Sequence, residues 1–104
     1  MSNDQQIEQE IQAKGLTAPR ITTERIDEVI KDVQYHVFPG TMVTVCCITL
    51  TNGFNTIGES ACASPENFDC ELGEKIAFGN AKQKIWALEG YLLKETLAGK
   101  SFAR

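Results

Sequence analysis

The feature that most narrows the possible folds is the run from Gly58 to Leu97, GESACASPENFDCELGEKIAFGNAKQKIWALEGYLLKETL, where a strand-like end passes through a polar link into one long helical pattern. Ser64 is a candidate N-cap, since its hydroxyl can accept from a backbone N–H that the first turn leaves unpaired. Pro65 follows at the first helical position, where its missing N–H costs nothing, and Glu66 and Asp69 complement the positive end of the helix dipole. Apolar residues then recur at helical spacing through Phe68, Leu72, Ile76, Ala77, Ala81, Ile85, Leu88 and Leu92, and Trp86, Leu93 and Leu97 widen the stripe. A helix of this kind has to bury a broad face. Asn80, directly after Gly79, sets an amide on or beside that face.

What the helix lies on is legible upstream. Thr41 to Gly58 is rich in β-branched residues (Val43, Val45, Ile48 and repeated Thr), which suit a pleated surface. Asn52-Gly53 is expected to supply the two positive-φ positions of a type I′ hairpin turn, with a returning strand over Phe54 to Glu59. A short strand over Gln34 to Phe38, closed by a Pro39-Gly40 turn, would precede it. Before that, ITTERIDEVIKDV spaces Ile26, Val29, Ile30 and Val33 on one face and predicts a helix over Ile21 to Val33, capped by Thr22 or Thr23. Two or three antiparallel strands are not stable alone in water, so the helices must cover them. The expectation is a two-layer α+β domain over residues 21–104: a small antiparallel sheet, a long C-terminal helix and a short N-terminal one. Residues 1–20 read as an appended N-terminal extension, partly mobile or ordered against another subunit, with Ala18-Pro19 at the boundary.

Charge and cysteine content exclude several functions. The net charge of −4 argues against binding duplex nucleic acid, which needs a basic surface. The balance is uneven: residues 81–104 carry Lys82, Lys84, Lys94, Lys100 and Arg104 against Glu89 and Glu95 alone, as a local site for a small anion or a complement to the helix dipole would require. No apolar run approaches the roughly 20 residues of a membrane span, and the acidic start MSNDQQIEQEIQ is the reverse of a secretory signal, so a cytosolic protein is expected. Cys46, Cys47, Cys62 and Cys70 include no CxxC pair, and His36 is the one histidine, so the thiols read as free rather than as disulfides or metal ligands. His36 has no evident Ser, Cys or Asp partner, and no phosphate-binding loop or nucleophile elbow is present, so neither catalysis nor a cofactor is expected. The acidic groups Glu66, Asp69, Glu71 and Glu74 read as dipole complements rather than a cation site.

Groups suited to binding remain. Asn67 and Asn80 offer amides that can read a base or sugar edge, Phe68, Phe78 and Phe102 offer rings for stacking, and Lys82, Lys84 and Arg104 offer charge for phosphate.

The blocks TLTNGF, GESACASPENFD and KIWALEGYLLKETL, with ERIDEVI upstream, resemble a family of small tailed-phage and prophage proteins, over most of the chain. That resemblance implies kinship with the first of the phage Thoeris anti-defence families. Its members are not enzymes. They sequester the cyclic ADP-ribose isomers made by bacterial TIR immune proteins, some also bind cyclic oligonucleotides, and they assemble as dimers or hexamers with pockets between subunits. The resemblance implies a pocket built from an aromatic ring, an asparagine and arginines, matched here by Phe68 within ENFD, Asn80 and Arg104; Lys84 and Phe102 join them as ligand-binding candidates on the charge and stacking argument alone. The arginine content departs from that pattern, with lysines on the long helix instead. On this reading the protein binds a small cyclic nucleotide in the host cytoplasm as a homo-oligomer whose interface uses the long helix. The alternative is a small interaction module that inhibits a host factor through its acidic surface.

Overall fold

The structure, a computed structural model, describes residues 4–14, 19–64, 66 and 69–99. Its elements in order are helices α1 (Asp4–Ala13) and α2 (Thr23–Glu28), strands β1 (Ile30–Val37), β2 (Val43–Leu50) and β3 (Asn55–Ala61), and helix α3 (Cys70–Leu97). The three strands form an antiparallel meander in the order β1-β2-β3, and α3 lies across one face. This is the expected two-layer α+β arrangement.

Thr22 caps α2, its hydroxyl accepting from the Arg25 N–H at 3.1 Å. The helix stops at Glu28, short of the expected Val33, and the chain enters β1 at Ile30. The reason lies in the β1–β2 register. Ile30 pairs with Leu50 and Asp32 with Thr49, so Lys31 is an extra residue in a bulge. One residue inserted into a period of two brings Ile30 and Val33 to the same face at a spacing of three, which imitates a helix.

Two turns close the meander. Gly40 (φ 78°) follows Pro39, and Thr41 N–H returns to Phe38 O at 3.1 Å, the hydrogen bond of a β-turn with proline and glycine at its centre. The β2–β3 turn is not the expected type I′. Gly53 alone takes positive φ (92°), Gly53 N–H bonds Leu50 O at 2.8 Å, and Leu50 N–H bonds Phe54 O at 2.8 Å. This is a three-residue loop with Gly53 as its bulge. Asn52 keeps ordinary φ because its Oδ1 accepts from Phe54 N–H at 2.9 Å instead.

β2 alternates cleanly. Thr44, Cys46, Ile48 and Leu50 are buried toward α3, while Val43, Val45, Cys47 and Thr49 are half-buried on the far face. Cys46 and Cys47 thus point to opposite faces, and all four cysteines are unpaired. The core joins Cys46, Ile48 and Leu50 to Ile26 and Val29 and to Ala77, Ala81 and Ile85 of α3.

α3 begins at Cys70, later than expected, and its N-cap is Asp69 rather than Ser64: Asp69 Oδ1 accepts from Leu72 N–H at 3.1 Å. The Ser64 hydroxyl instead donates to Glu66 Oε1 at 2.7 Å, which holds the Glu66 carboxyl below its usual range. Pro65 lies outside the described residues. The buried face is also narrower than the apolar stripe implied. Ala77, Ala81 and Ile85 are buried, whereas Leu72, Ile76, Leu88, Leu92 and Leu97 stay exposed. The cause is close approach. A Cβ on Gly58 would sit 2.2 Å from Ala81 N and 2.3 Å from Ala77 O, so α3 rests backbone against backbone on β3. A helix seated so tightly touches the sheet along one row of small residues, and larger apolar side chains to either side cannot reach it.

Candidate functional site

The row that flanks this seat on α3 is Ile76, Asn80 and Lys84, at four-residue spacing along one side. It runs beside the outer edge of β3. In an antiparallel ladder successive residues turn their backbone groups alternately toward and away from the neighbouring strand. Leu50 and Phe54 form a hydrogen-bonded pair, so Thr56 and Gly58 face β2 while Ile57 and Glu59 face outward. The two outward carbonyls are where the row is anchored. Asn80 Nδ2 donates to Glu59 O at 2.8 Å, and Lys84 Nζ donates to Ile57 O at 2.6 Å.

Asn80 is therefore neither on the apolar stripe nor paired within its own helix: it is exposed and bonded across to the sheet. The bond uses the amide nitrogen and leaves Oδ1 with no partner among the described residues. Lys84 uses one of three donors, and its ammonium has no carboxylate partner among the described residues. An acceptor and a cation thus stand one helical turn apart, both positioned by β3 and both open to solvent.

At the Ile76 end of the row a hollow of about 300 Å³ opens between β3 and the start of α3, lined by Met42, Ser60, Cys62, Asp69, Leu72 and Ile76. Its polar groups are partly engaged already. The Ser60 hydroxyl donates to Gly73 O at 2.8 Å, the Cys62 thiol to Ser64 O at 3.1 Å, and Asp69 caps α3. The expected site residue Phe68 adjoins Asp69 in the chain but lies outside the described residues, as do Phe102 and Arg104. Of the five expected ligand-binding residues the structure brings together Asn80 and Lys84.

A second hollow of about 300 Å³, not anticipated from the sequence, lies between α2 and α3 and is lined by Arg20, Arg25, Glu89, Leu92, Leu93 and Thr96. Its charges are matched: Arg25 Nε meets Glu89 Oε1 at 2.9 Å, and Arg20 makes two bonds to Glu8 of α1 at 2.6 and 2.5 Å. A sequence signal for it exists. Ala77, Ala81, Ile85 and Glu89 follow one another at four-residue spacing, and a carboxylate that continues a buried row needs a cation. A smaller hollow of about 270 Å³ separates Ile7 and Ile11 of α1 from Ile21 and Trp86.

Among the described residues no three of His, Cys, Asp and Glu come together as a metal site, and no helix is long and apolar enough to cross a membrane. The Thr44 and Thr56 hydroxyls are buried and meet no partner among the described residues. Burial also pushes the Cys46 thiol up to about 11, with Cys47 and Glu74 adding to it.

Residues 21–97 match the model of a family described as phage protein (N4 Gp49/phage Sf6 gene 66). No curated protein and no solved structure matches the chain.

Proposed function

Since the chain belongs to that family of phage proteins, we propose that it is an anti-defence protein that binds and sequesters cyclic nucleotide immune signals, cyclic ADP-ribose isomers foremost and cyclic oligonucleotides besides, without cleaving them. The observation that carries this reading is the pair formed by the free Asn80 Oδ1 and the unpaired Lys84 ammonium, held in place by β3 one and two helical turns along α3 from Ile76, which lines a hollow. Sequestration requires recognition alone. Lysine supplies charge to a phosphate as a point cation, and an amide oxygen accepts from the exocyclic amine of a base or from a ribose hydroxyl. Phe68 and Phe102 supply stacking surface and Arg104 a bidentate phosphate contact, completed in a homo-oligomer, a dimer or hexamer, in the host cytoplasm. The resemblance in sequence supports the ligand class.

The test is incubation with cyclic ADP-ribose isomers made by a TIR protein, removal of free ligand, heat denaturation and recovery of the small molecule. Intact release supports sequestration. An altered product makes the protein an enzyme, and no depletion favours a protein partner instead. Asn80→Ala is expected to abolish most uptake while shifting the melting temperature little, because the side chain is exposed. Lys84→Ala is expected to weaken uptake most at low ionic strength, where an unscreened phosphate contact counts most.

A further inference from the structure

The two edges of the sheet are treated differently. On β3 the outward carbonyls of Glu59 and Ile57 are occupied by Asn80 and Lys84, so those side chains stand in the way of an added strand. On β1 the phase is the reverse. Since Leu50 bonds toward β3, the alternation turns Cys47 and Val45 toward β1, where they meet Gln34 and His36. The N–H and C=O groups of Val33, Tyr35 and Val37 therefore point outward, and no partner meets them among the described residues. This edge has no proline, and its one bulge, at Lys31, lies at the far end. Such an edge is a template for another strand.

The sequence of the edge selects its occupant. We infer that β1 pairs antiparallel with β1 of a second copy, centred on Gln34, to make one continuous six-stranded sheet. Outward residues bond only to outward residues of a copy, so the allowed registers differ by steps of two, and in the one centred on Gln34 it is Val33 and Tyr35 that supply the bonds. Centred on Gln34, Val33 lies opposite the copy's Tyr35, a β-branched residue against an aromatic, and Asp32 lies opposite the copy's His36 on the far face. The two-fold repeats both pairs. Re-centring on Val33 or on Tyr35 sets Gln34 opposite Asp32 or His36 and loses the acid–base pair, although the Tyr35-centred register would bring Val37 into the bonded set. Tyr35, 40% exposed beside α3, is the side chain this arrangement would cover. The exposed apolar residues Leu88, Tyr91 and Leu92 of α3 form a competing patch, but nothing about them names an occupant.

In this assembly the two-fold stands perpendicular to the sheet, so both α3 helices lie on the same face. Between them runs a channel floored by Val33 and Tyr35 from both copies. The inference rests on the assembly part of the proposed function and not on its ligand: a protein that releases the ligand intact yet runs as a monomer would overturn the pairing and leave sequestration standing.

The experiment is cysteine cross-linking in the full chain with Cys47, Cys62 and Cys70 replaced by serine. Gln34 faces its own copy across a non-hydrogen-bonded pair, with Cα atoms about 4.5 Å apart, within disulfide reach. Gln34→Cys is expected to convert under mild oxidation to a covalent pair of twice the 11.5 kDa chain mass. His36→Cys, four residues out of register with its own copy, is expected to stay uncrosslinked. Gln34→Lys, which sets like charges face to face, is expected to lower the native mass while leaving the far-ultraviolet dichroism unchanged. Equal cross-linking at both positions, none at Gln34, or an unchanged mass for Gln34→Lys would each overturn the pairing.

Discussion

The two halves of α3 are held by different means. Up to Ala81 the helix is seated on the sheet through absence of bulk: Ala77 and Ala81 meet Gly58 with no side chain between the backbones. From Lys82 onward it runs alongside α2, and its ties there are long side chains. Glu89 receives Arg25 at 2.9 Å, Lys82 reaches Asp27 at 3.2 Å, and the same Lys82 lies 5.7 Å from the centre of the Phe78 ring. The first kind of contact is stiff, since close-packed backbones have no rotamer with which to adjust. The second is tolerant, because Arg25 is 48% exposed and can exchange its carboxylate for water.

The largest expected effect breaks the stiff half. Gly58→Ala drives a methyl group into the backbone of α3, and the helix must lift off β3 to relieve it. The loss is expected to exceed about 3 kcal/mol, the upper end for overpacking, because backbone rather than a side chain must give way, as read from urea denaturation. A variant as stable as the parent would mean that the seat is loose. Next, Ile85→Ala, one turn past Ala81 and fully buried, is expected to lose about 3 kcal/mol, against under about 1 kcal/mol for the exposed Leu92→Ala.

Alkali should also separate the halves. Cys46 sits beneath the stiff half with its thiol raised from 9.0 to about 11, burial being the main cause. The folded state thus holds a proton that the unfolded chain releases. Stability is expected to be constant below about pH 9 and to fall, by about 1–2 kcal/mol, as the pH rises through about 11. Tyr35, raised by burial and by its neighbours Cys46 and Glu74, contributes in the same direction. Cys46→Ala should flatten most of that decline in a pH series of melts. The smallest effect belongs to the tolerant half: Glu89→Ala is expected to lose about 1 kcal/mol or less, a gap that narrows as salt is added.

Much of this architecture is local chemistry, and local chemistry is what a sequence displays. Thr22 as a cap, the Pro39-Gly40 turn, the strand through Val43 and Val45 and the hairpin at Gly53 each depend on a few neighbouring residues. The misreadings share another cause. Ile30 and Val33 imitate a helix because a bulge, visible only with β2 alongside, shifts the alternation by one. Ser64 and Asp69 are equally good caps in isolation, and tertiary packing chose Asp69. The apolar residues of α3 surround it, so their period could not say which of them Gly58 would admit. The candidate site follows the same division. The spacing of Asn80 and Lys84 put them on one side of a helix, but their anchoring depends on the phase of β3, which no spacing within α3 encodes.

The seat at Gly58 also bears on the order of events during folding. The meander forms from neighbours in the chain, with loops of a few residues to close, so it can assemble early. α3 can dock only on a meander whose register is right, since a slip of one residue in β3 would put Ile57 or Glu59 under Ala77 and Ala81 in place of glycine. Docking therefore acts as a proofreading step: it rejects slipped hairpins sterically. A milder probe of the same contact, Ala81→Ser, should then accelerate unfolding while leaving the refolding rate nearly unchanged, the signature of a contact made after the transition state.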